Sequence, residues 1–121
     1  MPRFVTDRKK VHGLGSARSG TSHWWQQRLT ALALAVLGPI FILLFARALG
    51  AGPDAALATF RHSAFGAFVA FVTLPVVIWH LKLGLQVVIE DYVHAPVLRT
   101  TLLVLNTLGS VGLIFYAILI V

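Results

Sequence analysis

The sequence predicts an all-α integral membrane protein with three transmembrane helices, and three observations predict it. Of 121 residues, 58% are hydrophobic and only 12% are charged, which leaves too little polar surface to solvate a water-soluble domain. The apolar residues gather into stretches of 21, 26 and 22 residues, covering 29–49, 64–89 and 100–121, each long enough to cross a hydrocarbon core of about 30 Å as a helix. The ten Lys and Arg, set against four Asp and Glu, lie mostly outside these stretches. A chain of this length makes one domain, and a soluble enzyme with its own substrate cleft is excluded. The absence of cysteine rules out a disulfide and leaves no thiolate for an iron–sulfur cluster or a structural zinc. A redox centre here must use histidine or ligands from another chain.

Residues 1–22 read as a basic arm that is flexible or ordered by a partner, with Gly13, Gly15, Gly20, Ser16, Ser19 and Thr21 interspersed among basic residues. Anionic lipid headgroups or a peripheral protein are the partners it suits. Nucleic acid is not expected, because the arm lacks interleaved aromatics and a folded reading element. A cleavable signal peptide fits poorly, since its apolar core would run about 7–15 residues, whereas this one has 21 and starts late.

Residues 23–121 read as a three-helix membrane domain, with helices over about 24–49, 60–90 and 97–121. Trp24 and Trp25 mark the start of the first helix at headgroup depth. Gly50-Ala51-Gly52-Pro53-Asp54 closes it, since glycine and proline stop helices and Asp54 prefers water. The second stretch is long enough for a tilted span and ends at Glu90-Asp91; His94-Ala95-Pro96 makes the turn, because a residue before proline is pushed out of helical geometry. The third helix runs without charge from Thr100 to Val121. Arg3, Arg8, Lys9, Lys10, Arg18, Arg28 and Arg99 fall on one side of the membrane and only Arg47 and Arg61 on the other. That asymmetry puts the N-terminus inside and the C-terminus outside.

Ionisable groups inside a span are costly and need a reason. His80 lies ten residues before Glu90, about 15 Å deeper along the helix and near mid-membrane. A haem ligand, a proton relay and an imidazole hydrogen-bonded to a neighbouring helix are all open readings. On the same stripe follow Gly84, Val87, Val88 and Asp91, the last returning to within about 20° of the His80 face. Gly84 leaves space beside the imidazole for a flat macrocycle, or for close helix packing. Lys82 points about 160° away and is expected to snorkel or to pair with a partner helix. Tyr92 is either a belt aromatic or a phenol that donates a hydrogen bond to a quinone carbonyl. Packing is the default for Trp79.

The run His80-Leu-Lys-Leu-Gly84-Leu-Gln86-Val-Val-Ile-Glu90-Asp91-Tyr92-Val93 resembles the second-helix signature of the hydrophobic membrane-anchor subunit of succinate dehydrogenase, respiratory complex II. Gly20-Thr21-Ser22-His23-Trp24-Trp25-Gln26-Gln27-Arg28-Leu29-Thr30-Ala31 is similar to the start of that family's first helix, where Arg-x-Thr-Ala is typical. The resemblance covers nearly the whole chain. It implies a helical bundle shared with a cytochrome b partner subunit, with His80 as one axial ligand of a haem b iron and Gly84 packed on the haem. It further implies that Tyr92 binds ubiquinone with Asp91 beside it, and that Arg28 lies near the haem propionates or the quinone. Docked flavoprotein and iron–sulfur subunits would oxidise succinate, linking the tricarboxylic acid cycle to aerobic electron transport at a bacterial cytoplasmic or mitochondrial inner membrane.

Three other readings stand beside this one. A fumarate reductase anchor runs the same chemistry in reverse. A small transport or proton-relay protein would use His80 and Lys82 as its ionisable pair. A purely structural assembly subunit would tolerate leucine at position 80. His12, His23, His62 and His94 receive no role.

Overall fold

The computed structural model describes the backbone from residue 17 to residue 121 and the side chains from residue 21. Four helices follow in order: α1 (Ala17–Leu49), α2 (Pro53–His62), α3 (Ala64–Tyr92) and α4 (Pro96–Ile120). No strand occurs among the described residues. Three of the helices are long and apolar enough to cross a membrane, over Thr21–Leu49, Ala64–Tyr92 and Pro96–Ile120, so the all-α, three-span class read from the sequence holds.

Two boundaries differ from the expectation. α1 starts at Ala17, upstream of residue 24 and inside the segment read as an arm. Once the apolar stretch is helical, each further residue adds a hydrogen bond at little cost, and Gly20 alone is a weak break. The remainder of the arm, residues 1–16, lies outside the described residues. The second correction is α2, because the helix expected over about 60–90 begins at Ala64 and is preceded by a separate short helix. Pro53 stands at the start of α2, where its missing N–H costs nothing and its fixed φ favours the helix. Asp54 in the first turn and Arg61 and His62 in the last complement the helix dipole. Gly52 turns the chain into α2 with φ +100°, a conformation that side-chain-bearing residues rarely adopt. Ser63 then breaks the helical path with extended backbone, and its hydroxyl accepts the Gly66 N–H at 3.2 Å, capping α3.

α3 is the central element. It packs against α1, α2 and α4, while α1 and α4 make no direct contact. Its buried face carries Val69, Ala70, Thr73 and Leu83, and the buried positions of its neighbours are Ala48, Ala56 and Ser110. Small residues dominate these contacts because lipid offers no hydrophobic drive between helices and close backbone approach supplies the attraction instead. Asn106 Nδ2 donates to the Lys82 carbonyl at 2.9 Å, holding α4 to α3. Arg61 Nε donates to the Ile120 carbonyl at 3.0 Å, tying α2 to the end of α4, and Phe41, Phe45 and Phe60 stack α2 on α1.

The tightest approach is at the α2–α3 corner. A Cβ on Gly66 would collide with the Thr59 carbonyl oxygen, whereas one on Gly109 would meet nothing within 4 Å. Gly66→Ala is therefore expected to lower the thermal midpoint of the detergent-solubilised protein, on the scale of about 1–3 kcal/mol for an overpacked contact. Gly109→Ala should not lower it. An unchanged midpoint for Gly66→Ala would mean that the corner opens freely.

Candidate functional site

The seam between α1 and α3 holds the sequence-predicted histidine. Along it the helices run antiparallel: Thr30 of α1 meets His80 of α3, and Gln27, a turn earlier on α1, lies by Gly84, a turn later on α3. Trp79 Nε1 adds a hydrogen bond to Gln26 Oε1 at 3.3 Å. A threonine inside a helix commonly bonds the carbonyl one turn back. Thr30 Oγ1 does so, lying 2.8 Å from the Gln26 carbonyl and 3.1 Å from that of Gln27.

The same oxygen lies 2.8 Å from His80 Nδ1. With backbone carbonyls of its own helix within reach of its one proton, the hydroxyl is free to accept from an Nδ1–H, and in that tautomer Nε2 carries the lone pair. That nitrogen has no hydrogen-bond partner in the described chain, yet it is not among the sealed-off polar atoms, and the residue is half-buried. A neutral imidazole held at Nδ1 and free at Nε2 is the form that ligates metals. Among the described residues no group of three or more His, Cys, Asp or Glu could hold a metal ion. His80 therefore offers a single ligand, which fits a haem axial position completed from another chain.

Gly84 shares the His80 side of α3. A methyl there would lie 3.9 Å from Gln27 Nε2, an ordinary contact, so packing against α1 does not by itself require glycine at this position. Asp91 and Tyr92 stand at the far end of the helix, both exposed. Tyr92 is 78% exposed, about 18 Å along the axis from His80. Neither the Asp91 carboxylate nor the Tyr92 hydroxyl has a partner among the described residues, while the Tyr92 carbonyl lies 3.1 Å from His94 Nδ1. Arg28 does not join His80. Its guanidinium sits 5.2 Å above the Trp24 ring, and two residues of helical rotation turn it to the side of α1 opposite Thr30.

Lys82 behaves as its helical angle predicts. Its Nζ lies 5.1 Å from the Trp79 ring centroid and donates to Gln86 Oε1 at 3.0 Å, and Gln86 Nε2 donates to Glu90 Oε1 at 2.9 Å. This ladder carries the ammonium along α3 toward the membrane edge and away from His80.

Sequence reasoning missed the α1 half of the seam. His23, Gln27 and Thr30 form one polar stripe at i, i+4 and i+7 at the entry to the first span. His23 Nε2 and Gln27 Oε1 are buried there without a partner. The spacing was visible, but without a facing helix it gave no reason to prefer it to an interfacial polar cluster.

The chain matches the succinate dehydrogenase/fumarate reductase transmembrane subunit family over residues 5–121. A succinate dehydrogenase hydrophobic membrane anchor subunit of Paracoccus denitrificans is 39% identical over 90 residues, covering 74% of this chain and 69% of that protein. The succinate dehydrogenase membrane anchor subunit of Reclinomonas americana is 38% identical over 86 residues, covering 68% and 70%. The corresponding subunit of Rickettsia bellii is 33% identical over 109 residues, covering 89% and 86%. No solved structure matches the chain. With its three spans and a match that runs almost end to end, the chain belongs to the family of succinate dehydrogenase/fumarate reductase transmembrane subunits.

Proposed function

We propose that the chain is the membrane anchor of a succinate:ubiquinone oxidoreductase, a multi-pass subunit of a bacterial cytoplasmic or mitochondrial inner membrane. The relatives are named for succinate dehydrogenase, which favours that direction over fumarate reduction. Partner flavoprotein and iron–sulfur subunits dock on the inside face, where the positive-inside pattern puts the N-terminal arm and the Glu90-Asp91-Tyr92 end of α3. A cytochrome b subunit covers the open side of His80.

The observation that carries the reading is His80, a mid-span imidazole held at Nδ1 by Thr30 and free at Nε2. His80 Nε2 would be the ligand this chain offers to a haem b, with the remaining ligand coming from a histidine of the cytochrome b subunit. Such a haem would supply one-electron transfer. Gly84 keeps the adjoining turn of α3 free of a side chain. Succinate oxidation needs flavin and iron–sulfur clusters, so it belongs to the partners.

Ubiquinone reaches the site from the lipid and meets the inside end of α3. There the Tyr92 hydroxyl donates a hydrogen bond to a quinone carbonyl oxygen. This bond strengthens as two electrons build negative charge on that oxygen. Asp91, exposed beside it, passes protons from water to the reduced quinone, which leaves as the quinol. Arg28 contributes positive charge at the same membrane face. The transport reading is disfavoured by geometry, because the Lys82 ammonium is bound into the Gln86–Glu90 ladder and not to His80.

His80→Leu should abolish the low-spin b-type haem absorbance of the purified complex; a native spectrum in that variant would remove His80 as the ligand. Tyr92→Phe should assemble and reduce an artificial dye with succinate at the normal rate, while quinone reduction falls roughly 10- to 100-fold, the scale of one hydrogen bond to a developing charge. Unchanged quinone turnover would return Tyr92 to the aromatic belt.

A further inference from the structure

We infer that Thr30 is a positioning residue for His80, whose hydroxyl fixes the tautomer and plane of the imidazole so that Nε2 faces outward as a ligand. This inference rests on the haem reading above.

Three polar atoms surround the one hydroxyl of Thr30: the carbonyls of Gln26 and Gln27, at 2.8 and 3.1 Å, and His80 Nδ1, at 2.8 Å. Only one of these contacts can receive the hydroxyl proton in a linear bond. With the proton on a carbonyl and the ring donating through Nδ1–H, the Thr30 hydroxyl and the ring N–H are both satisfied, and only the Nε2 lone pair is left for a ligand from outside the chain. The opposite arrangement would place the proton on Nε2, where no acceptor exists among the described residues, and an N–H turned toward the bilayer without an acceptor is costly. The tautomer is thus selected by α1, a helix that contributes no ligand itself.

The contact also locks orientation. Thr30 is β-branched and bonded to its own backbone, so its oxygen is a fixed point. An imidazole tethered there cannot spin freely about its Cβ–Cγ bond. A hydrogen bond at Nδ1 also makes Nε2 a stronger donor to iron, and that favours the oxidised metal and lowers its reduction potential. Valine would fill the same space without the hydroxyl, and serine would restore it.

The test uses the intact complex purified in mild detergent, with wild type, Thr30→Val, Thr30→Ser and His80→Leu compared. Redox titration of the haem absorbance and electron paramagnetic resonance of the ferric haem are the readouts. Thr30→Val is expected to shift the midpoint potential positive, to move the largest g value, and to weaken haem retention about tenfold or more against a haem-accepting apoprotein. Thr30→Ser should restore all three toward wild type. Thr30→Ala, which cannot crowd the seam, carries the same expectation as Thr30→Val and replaces it should the valine variant fail to assemble. A native potential and native g values in either apolar variant would overturn the role of Thr30, provided His80→Leu has lost the haem. Retention of an unaltered haem by His80→Leu would overturn the underlying ligand assignment instead.

Discussion

The hydrogen bond between Thr30 and His80 sets the register of the membrane domain, because a polar side chain at that depth has no water to fall back on. Sliding α1 by one residue along α3 would strand the Nδ1–H in hydrocarbon and turn the Thr30 hydroxyl away from the ring. Apolar contacts alone are far less selective, since one leucine replaces another at little cost. The neighbouring contacts follow the same alignment: Trp79 bonds Gln26, and Gln27 lies over Gly84. A helix pair held by close packing thus acquires a single arrangement from a few polar atoms.

α3 sorts its polar groups by face. One side carries His80 and Gly84 toward α1; the other carries Lys82, Gln86 and Glu90 in a hydrogen-bonded ladder, with Asn106 of α4 bound to the Lys82 carbonyl. The separation matters electrostatically. A cation aimed at His80 would oppose any positive charge gained at that site, and at short range in a low-dielectric medium the repulsion is large. Turning Lys82 about half a revolution away and leading its ammonium toward Glu90 keeps the imidazole environment neutral. The central position of α3, in contact with every other helix, lets one helix serve both purposes.

Much of this arrangement was legible from residue order. The three spans follow from length and hydropathy, and the turn of Lys82 away from His80 follows from helical rotation alone. α2 was not legible because Gly50-Ala51-Gly52-Pro53 reads as a stop, and the same Pro53 is also a favoured first residue of a new helix. Residue order cannot say which role a proline plays until the chain has somewhere to pack the next turn, here against Phe41 and Phe45. The role of Thr30 was hidden for a related reason. A threonine on an apolar helix satisfies itself through its own backbone, so its free lone pair becomes informative only when a second helix brings a donor to it.

The exposed surface defines what remains to be covered. Among the described residues the buried apolar core comprises only Ala48, Ala56, Val69, Ala70 and Leu83, mostly small side chains that bring backbones together without enclosing volume. Large residues such as Leu32, Ile42, Phe68 and Phe115 face outward, as lipid contact permits. Lipid cannot, however, satisfy His80 Nε2, which has no hydrogen-bond partner among the described residues. Acyl chains supply no donor there, and water reaches that depth at a cost. On the reading proposed above, a metal centre shared with a second membrane subunit would supply the Lewis acid that the bilayer cannot.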